Sequence, residues 1–141
     1  MERQPGGPGQ QPSLQIEAVA CRSTGVSGRW TVSWRIRNLD SQPLEVQSAW
    51  LPHDKFFSER REFNPSLPLA GLESIDLELD VTCSGLPGEV VENTFVILSL
   101  LWRDRPWRVF ARHLITVDSA GTPQHRCQSV TIHPVGVSQS G

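Results

Sequence analysis

The chain has 141 residues, of which 38% are hydrophobic and 20% charged, and its formal net charge is −2. That length fits one domain, and the near-neutral balance excludes the strong basic field by which a protein holds nucleic acid. The longest apolar run, residues 95–102, is interrupted by Ser99 and falls short of the ~20 residues a membrane-spanning helix needs.

Residues 1–13 contain three Gly and three Pro with no apolar stretch, and are expected as a disordered leader without an export signal. This favours a cytoplasmic compartment. Alternation of apolar and polar residues then dominates, and no segment carries a helical stripe. A strand opens at 14–21, and 24–28 is a turn. Residues 29–37 alternate without error: Trp30, Val32, Trp34 and Ile36 point one way, and Arg29, Arg35 and Arg37 the other. That is the pattern of a half-buried antiparallel strand.

A turn at 38–43 leads into a strand at 44–51, which Pro52 ends. A weaker edge strand is expected over 57–63, because Pro65 and Pro68 have no N–H to give to a central ladder. Residues 74–81 alternate again, with Ile75, Leu77, Leu79 and Val81 inward and Asp76, Glu78 and Asp80 outward. The segment 90–102 is the most apolar and is expected as the longest, central strand. A four-residue loop at 103–106 returns the chain into 107–117, a loop follows at 119–128, and 130–132 reads as a short last strand. Residues 135–141 are expected as a flexible tail. The domain is thus expected over 14–134.

The charges test the pairing. Outward residues of 29–37 are basic, those of 74–81 are acidic, and 14–21 offers Glu17. Opposite charges on neighbouring strands favour pairing and like charges oppose it. The strand 29–37 is therefore expected between 14–21 and 74–81, with its arginines in a cross-strand ladder.

Three features together resemble an immunoglobulin-like or fibronectin-III-like domain of bacterial accessory type. They are Trp30-x-Val32-x-Trp34-x-Ile36-x-Asn38, the stretch Leu69-Ala70-Gly71 followed by Ile75-x-Leu77-x-Leu79, and the long hairpin 90–117. The resemblance covers residues 14–117 and implies an all-β fold, an antiparallel β-sandwich of seven or eight strands. It implies binding or spacing as the domain's work and transfers no functional residue. The mid-strand cysteines of antibody domains are absent.

In that topology the strand ends near Cys21, Leu51, Cys83 and Asp118 emerge at one pole. Cys21, Cys83, His125 and Cys127 would supply a tetrahedral metal set there, with His53 and Asp54 nearby. No C-x-x-C pair exists, so the zinc-ribbon and thioredoxin patterns are excluded. Cys21 and Cys83 flank one strand and would lie ~9–10 Å apart, beyond the ~7 Å reach of a disulfide. The three thiols are expected in one half of the molecule and unbridged.

At the other pole Trp102, Arg103, Arg105, Trp107 and Arg108 surround the hairpin tip. Trp and Arg dominate interface hot spots, and an indole face also stacks on sugars. The competing reading makes both indoles core closure, with Leu39 as their contact. No nucleophile elbow, phosphate loop or His-Glu-x-x-His is present, and Ser84 with His53 and Asp54 is no more than any Ser-rich chain offers. The expectation is a non-enzymatic interaction domain with a protein partner and no cofactor, nucleic acid or membrane insertion. Alternatives are metal or thiol chemistry at the cysteine pole and carbohydrate binding at the tryptophans. The edge strands leave a homo-oligomer open.

Overall fold

The computed structural model describes residues 10–136, so most of the expected leader and tail lie outside the described residues. Eight strands follow one another: β1 (Leu14–Ser23), β2 (Arg29–Asn38), β3 (Leu44–His53), β4 (Phe56–Leu69), β5 (Ser74–Cys83), β6 (Val90–Trp102), β7 (Arg105–Val117) and β8 (Pro123–Pro134). Every pairing is antiparallel, and the order β1-β2-β5-β4-β3-β6-β7-β8 makes one continuous sheet rather than two separate ones. The sheet folds back on itself until β1 and β8 lie side by side, with no ladder between them. Among the described residues no helix is long and apolar enough to cross a membrane.

The alternating sequence of β2 places Val32, Trp34 and Ile36 in the core with no exposed surface. Trp30, nearer the strand's start, is only half-buried. On β5, Leu77, Leu79 and Val81 are buried, whereas Ile75 is half-buried. β2 lies between β1 and β5, as the charges require. Arg35 stands opposite Asp76 and donates two hydrogen bonds to its carboxylate, at 2.9 and 3.1 Å. Glu78 instead takes Arg22 of β1 at 2.9 Å, a pair that strand alternation alone does not point to. These exposed pairs add little stability; the register is held by the core pattern, because a one-residue slip would turn every core side chain outward.

Two joints in the sheet are thin. β4 and β5 pair only through Phe56–Cys83 and Phe57–Thr82, and β1 and β8 do not pair. The halves are closed over one another mainly by apolar burial.

β4 is longer than the sequence suggests, running through both prolines to become the longest strand. Residues 63–66 leave the ladder between Glu62–Ser48 and Leu67–Val46, and Pro65 sits in that excursion. Pro68 stands opposite Glu45 of β3, and at that height β4 has no partner on its β5 side. The hairpin tip is also tighter than expected. Trp102 pairs with Arg105 across a two-residue turn, in which Arg103 and Asp104 both take positive φ, 53° and 61°. That is the twist-compatible turn of a short hairpin. The expected loop 119–128 is shorter too: β8 begins at Pro123 and continues to Pro134.

At one end of the sheet Asn38 ties two turns together. It is fully buried, and its amide nitrogen reaches the carbonyls of Gln42 at 2.8 Å, Ala70 at 3.3 Å and Leu69 at 3.4 Å, while its Oδ1 accepts from the Asp40 N–H at 2.9 Å. Gly71 lies so close that a Cβ there would stand 2.1 Å from the Ser41 carbonyl oxygen. Gly71→Ala is expected to destabilise by about 1–3 kcal/mol, as overpacking does; an unchanged urea midpoint would mean the two turns move independently. In the ladder, Arg35→Glu should lower the melting temperature at low salt. Adding Asp76→Arg should recover part of the loss, and additive effects in that double-mutant cycle would show the pair is not coupled.

Candidate functional site

The cysteines do not assemble into a metal centre. Cys21 stands opposite Val32 and is half-buried, Cys83 ends β5 and is buried, and Cys127 is exposed on β8. All three are free, and among the described residues no three His, Cys, Asp or Glu side chains form a group able to hold a metal ion. Burial, and then the neighbouring Cys83, push the Cys21 thiol up to about 11, so it is a thiol and not a thiolate at neutral pH. His53 Nδ1 lies 3.3 Å from Asp54 at the β3–β4 turn, apart from this set.

At the hairpin tip the two indoles meet edge to face, with centroids 5.8 Å apart. Trp102 and Trp107 are only 3% and 8% exposed. Both are therefore core closure, with no free face for a sugar ring. Leu39 is not tied to them; it is 44% exposed and lines a different feature, the cleft described next. Arg103 lies over the Trp102 ring at 4.6 Å, and Arg105 is exposed.

Between β1 and β8 runs a cleft of about 660 Å³, with residues 14–18 on one side, 127–130 on the other, and His113 and His125 within. The register explains this grouping. His113 of β7 stands opposite Cys127, and Ile115 opposite His125, so these four side chains share the inward face. Trp34 of β2 meets both imidazole rings edge-on, at 5.1 and 5.3 Å, and Phe56 meets His125 at 5.1 Å. His113 Nδ1 lies 3.0 Å from the Ala111 carbonyl and must donate to it, since a carbonyl only accepts. This leaves its Nε2 as a lone-pair acceptor. Among the described residues His113 Nε2, His125 Nε2 and Trp34 Nε1 are all buried without a hydrogen-bond partner.

A second surface lies on the outer face of β3, β6 and β7. Ile97 and Ser99 of β6 point outward yet are each only 8% exposed, and the Arg60 guanidinium reaches the Ser99 hydroxyl at 3.4 Å. Trp50 stands beside Ile97 on β3, and Phe110 beside it on β7. Two guanidinium groups approach the Trp50 ring: Arg60 at 4.4 Å and Arg108 at 5.3 Å from its centroid. Phe110 meets Phe95 and His133 edge-on, at 6.3 and 5.8 Å. Arg60 is held by Glu62 at 2.6 Å. Arg108 and Arg112 make no ion pair among the described residues, and Arg108 Nε is buried without a partner.

Of the residues singled out from the sequence, Arg108 belongs to this face, and His125 and Cys127 belong to the cleft. Trp50, Arg60, Phe95, Phe110 and His113 were not foreseen. The signal was there in β6, whose apolar run does not alternate; such a strand is covered on both faces.

The imidazoles make a pH prediction. Burial, and then the neighbouring His113, push the His125 imidazole down to about 4; burial lowers His113 against the opposing pull of its bond to Ala111. Glu17 and Cys127 are the other titratable groups on the cleft. An unfolded chain protonates both rings near ~6.5, whereas the fold admits those protons only at lower pH. Stability should thus be complete above pH ~6.5 and decline as the pH falls, with His125 contributing up to ~1.4 kcal/mol per unit down to about 4 and His113 acting in the same direction. Urea midpoints between about pH 7.5 and 5 should fall, and His125→Gln should flatten the slope. A flat wild-type profile would mean the rings are open to water. No protein-family model matches this chain, and no curated protein matches it by sequence.

Proposed function

We propose that the chain is an immunoglobulin-like interaction domain that binds an acidic protein surface through the outer face of β3, β6 and β7. The architectural part of this reading rests on strand order. β1-β2-β5 on one side and β4-β3-β6-β7 on the other follow the order of such a sandwich, with β4 joining the two sides of the one continuous sheet.

The observation that carries the binding reading is Trp50 held between two guanidinium groups, with Arg108 unpaired and its Nε buried. Stacking on an indole holds a guanidinium rigid and partly dry, so a carboxylate arriving there gains a pre-positioned, weakly hydrated partner. Arg112 extends the positive strip beside Phe95, and the half-buried rings of Trp50, Phe95 and Phe110 supply apolar area around it. Aromatic anchors with arginine are the side chains on which interface energy concentrates. The burial of Trp102 and Trp107 disfavours carbohydrate binding at the hairpin tip.

The test is affinity capture with the purified domain, followed by a measured Kd for the retained protein. Trp50→Ala and Arg108→Glu should each weaken binding by about 2 kcal/mol or more, roughly 30-fold, while their melting temperatures show them folded. Arg105→Glu, at the hairpin tip, should bind as the parent does. Loss with Arg105→Glu and retention with the other two would move the interface to the tip.

A further inference from the structure

We infer that the β1–β8 cleft is a second binding site, one that takes an extended segment of another protein as an added strand along β1. The occupant presents a basic residue outward and a hydroxyl residue, Ser or Thr, inward. Four observations on the cleft converge on this occupant.

The first is backbone. β1 and β8 are the two ends of the hydrogen-bonded order, so each keeps a row of N–H and C=O groups without a ladder partner. Of the two, β1 is the regular template: residues 14–18 pair evenly with β2, and its register shift comes only after Ala18. β8 has its own shift between Cys127 and Ser129, within the stretch that borders the cleft. A ladder along 14–18 accepts about five residues, ~17 Å of extended chain. That stretch borders the cleft, whose volume is about 660 Å³.

The second is chemistry at the floor. His113 is 1% exposed and lines the cleft, and its Nδ1–H is committed to the Ala111 carbonyl. Its Nε2 is therefore an acceptor that needs a donor, as a buried polar atom does. His125 Nε2 lies buried on the same inward face, also without a partner among the described residues. A hydroxyl meets this need at little desolvation cost, whereas an ammonium or guanidinium group would have to leave water to do so.

The third is charge at the rim. Glu17 borders the cleft, and its neighbour across β2, Arg35, is already bonded to both carboxylate oxygens of Asp76. A basic residue placed beside Glu17 on an added strand forms a cross-strand pair. Strand alternation then fixes the pattern, since a residue facing outward at Glu17 is flanked by residues facing inward to the imidazoles. The fourth is Leu39, 44% exposed at the same cleft, which offers an apolar contact to the end of the strand.

The probe is the synthetic peptide acetyl-Val-Thr-Lys-Thr-Val-amide, titrated into the intact chain and followed by backbone amide and imidazole ¹⁵N NMR. Saturable binding should shift the amides of residues 14–18 and the Nε2 signals of His113 and His125. Replacing both threonines by valine should weaken binding at least about 5-fold, and N-methylation of the peptide backbone should abolish it. The N-methyl control leaves the protein unchanged, so no folding defect enters; His125→Gln is the accompanying variant. Absence of saturation, equal binding by the N-methyl peptide, or shifts confined to Trp50 and Phe110 would overturn the site. So would a dimer of the chain that shifts 14–18 without peptide, since the cleft would then be filled by a second copy.

Discussion

Trp34 lies where the two halves of the folded-back sheet meet, fully buried, with its indole against His113 and His125. His125 in turn touches Phe56, the residue that opens β4 and pairs with Cys83. One aromatic cluster thus joins β2, β4, β7 and β8. The halves share only two ladder pairs at β4–β5 and none at β1–β8, so contact across the interior supplies the cohesion that a closed ladder would otherwise give. The cleft lies beside this cluster, with His113 and His125 in its lining.

Both candidate surfaces follow from how this sheet distributes burial. β6 lies between β3 and β7 and is covered on both faces, so aromatic and arginine side chains must lie over its outer side. Those covering groups are neither fully buried nor freely solvated, and a partner arriving there meets side chains already ordered. The cleft is the opposite case. There the apolar covering stops short, and polar atoms meant for an interior border a space open to a ligand.

The parts of the fold legible in the sequence were those where one face is wet and the other dry. β2 and β5 alternate cleanly, and Arg35 opposite Asp76 makes their pairing readable from charge. β8 was hidden for two reasons: its inward residues include the polar His125 and Cys127, and its register shift changes the phase of alternation. Pro65 and Pro68 concealed the length of β4 because only an unpaired flank makes them tolerable there. Neither Arg103 nor Asp104 is a glycine, so the two-residue turn carried no sequence mark. Nothing in the alternation marks Trp50, Phe95 and Phe110 as surface groups, because alternation gives a face and not the identity of what lies beyond it. The same limit applies to His113.

The strand order also bears on how the chain reaches this structure. Five of the sheet's junctions link strands adjacent in sequence, but β2 must find β5 across β3 and β4, and β3 must find β6 across β4 and β5. Those two closures bring distant segments together before burial rewards them, which places folding in the slower, millisecond-to-second regime of non-local β topologies. As the chain emerges from the ribosome, the β1–β2 hairpin appears first, with Val32, Trp34 and Ile36 on its bare face. The strands that pack against that face, β7 and β8, come much later. Until then the most apolar strand face of the N-terminal half stays uncovered, and the interval before β8 is made is when this protein is most exposed to aggregation.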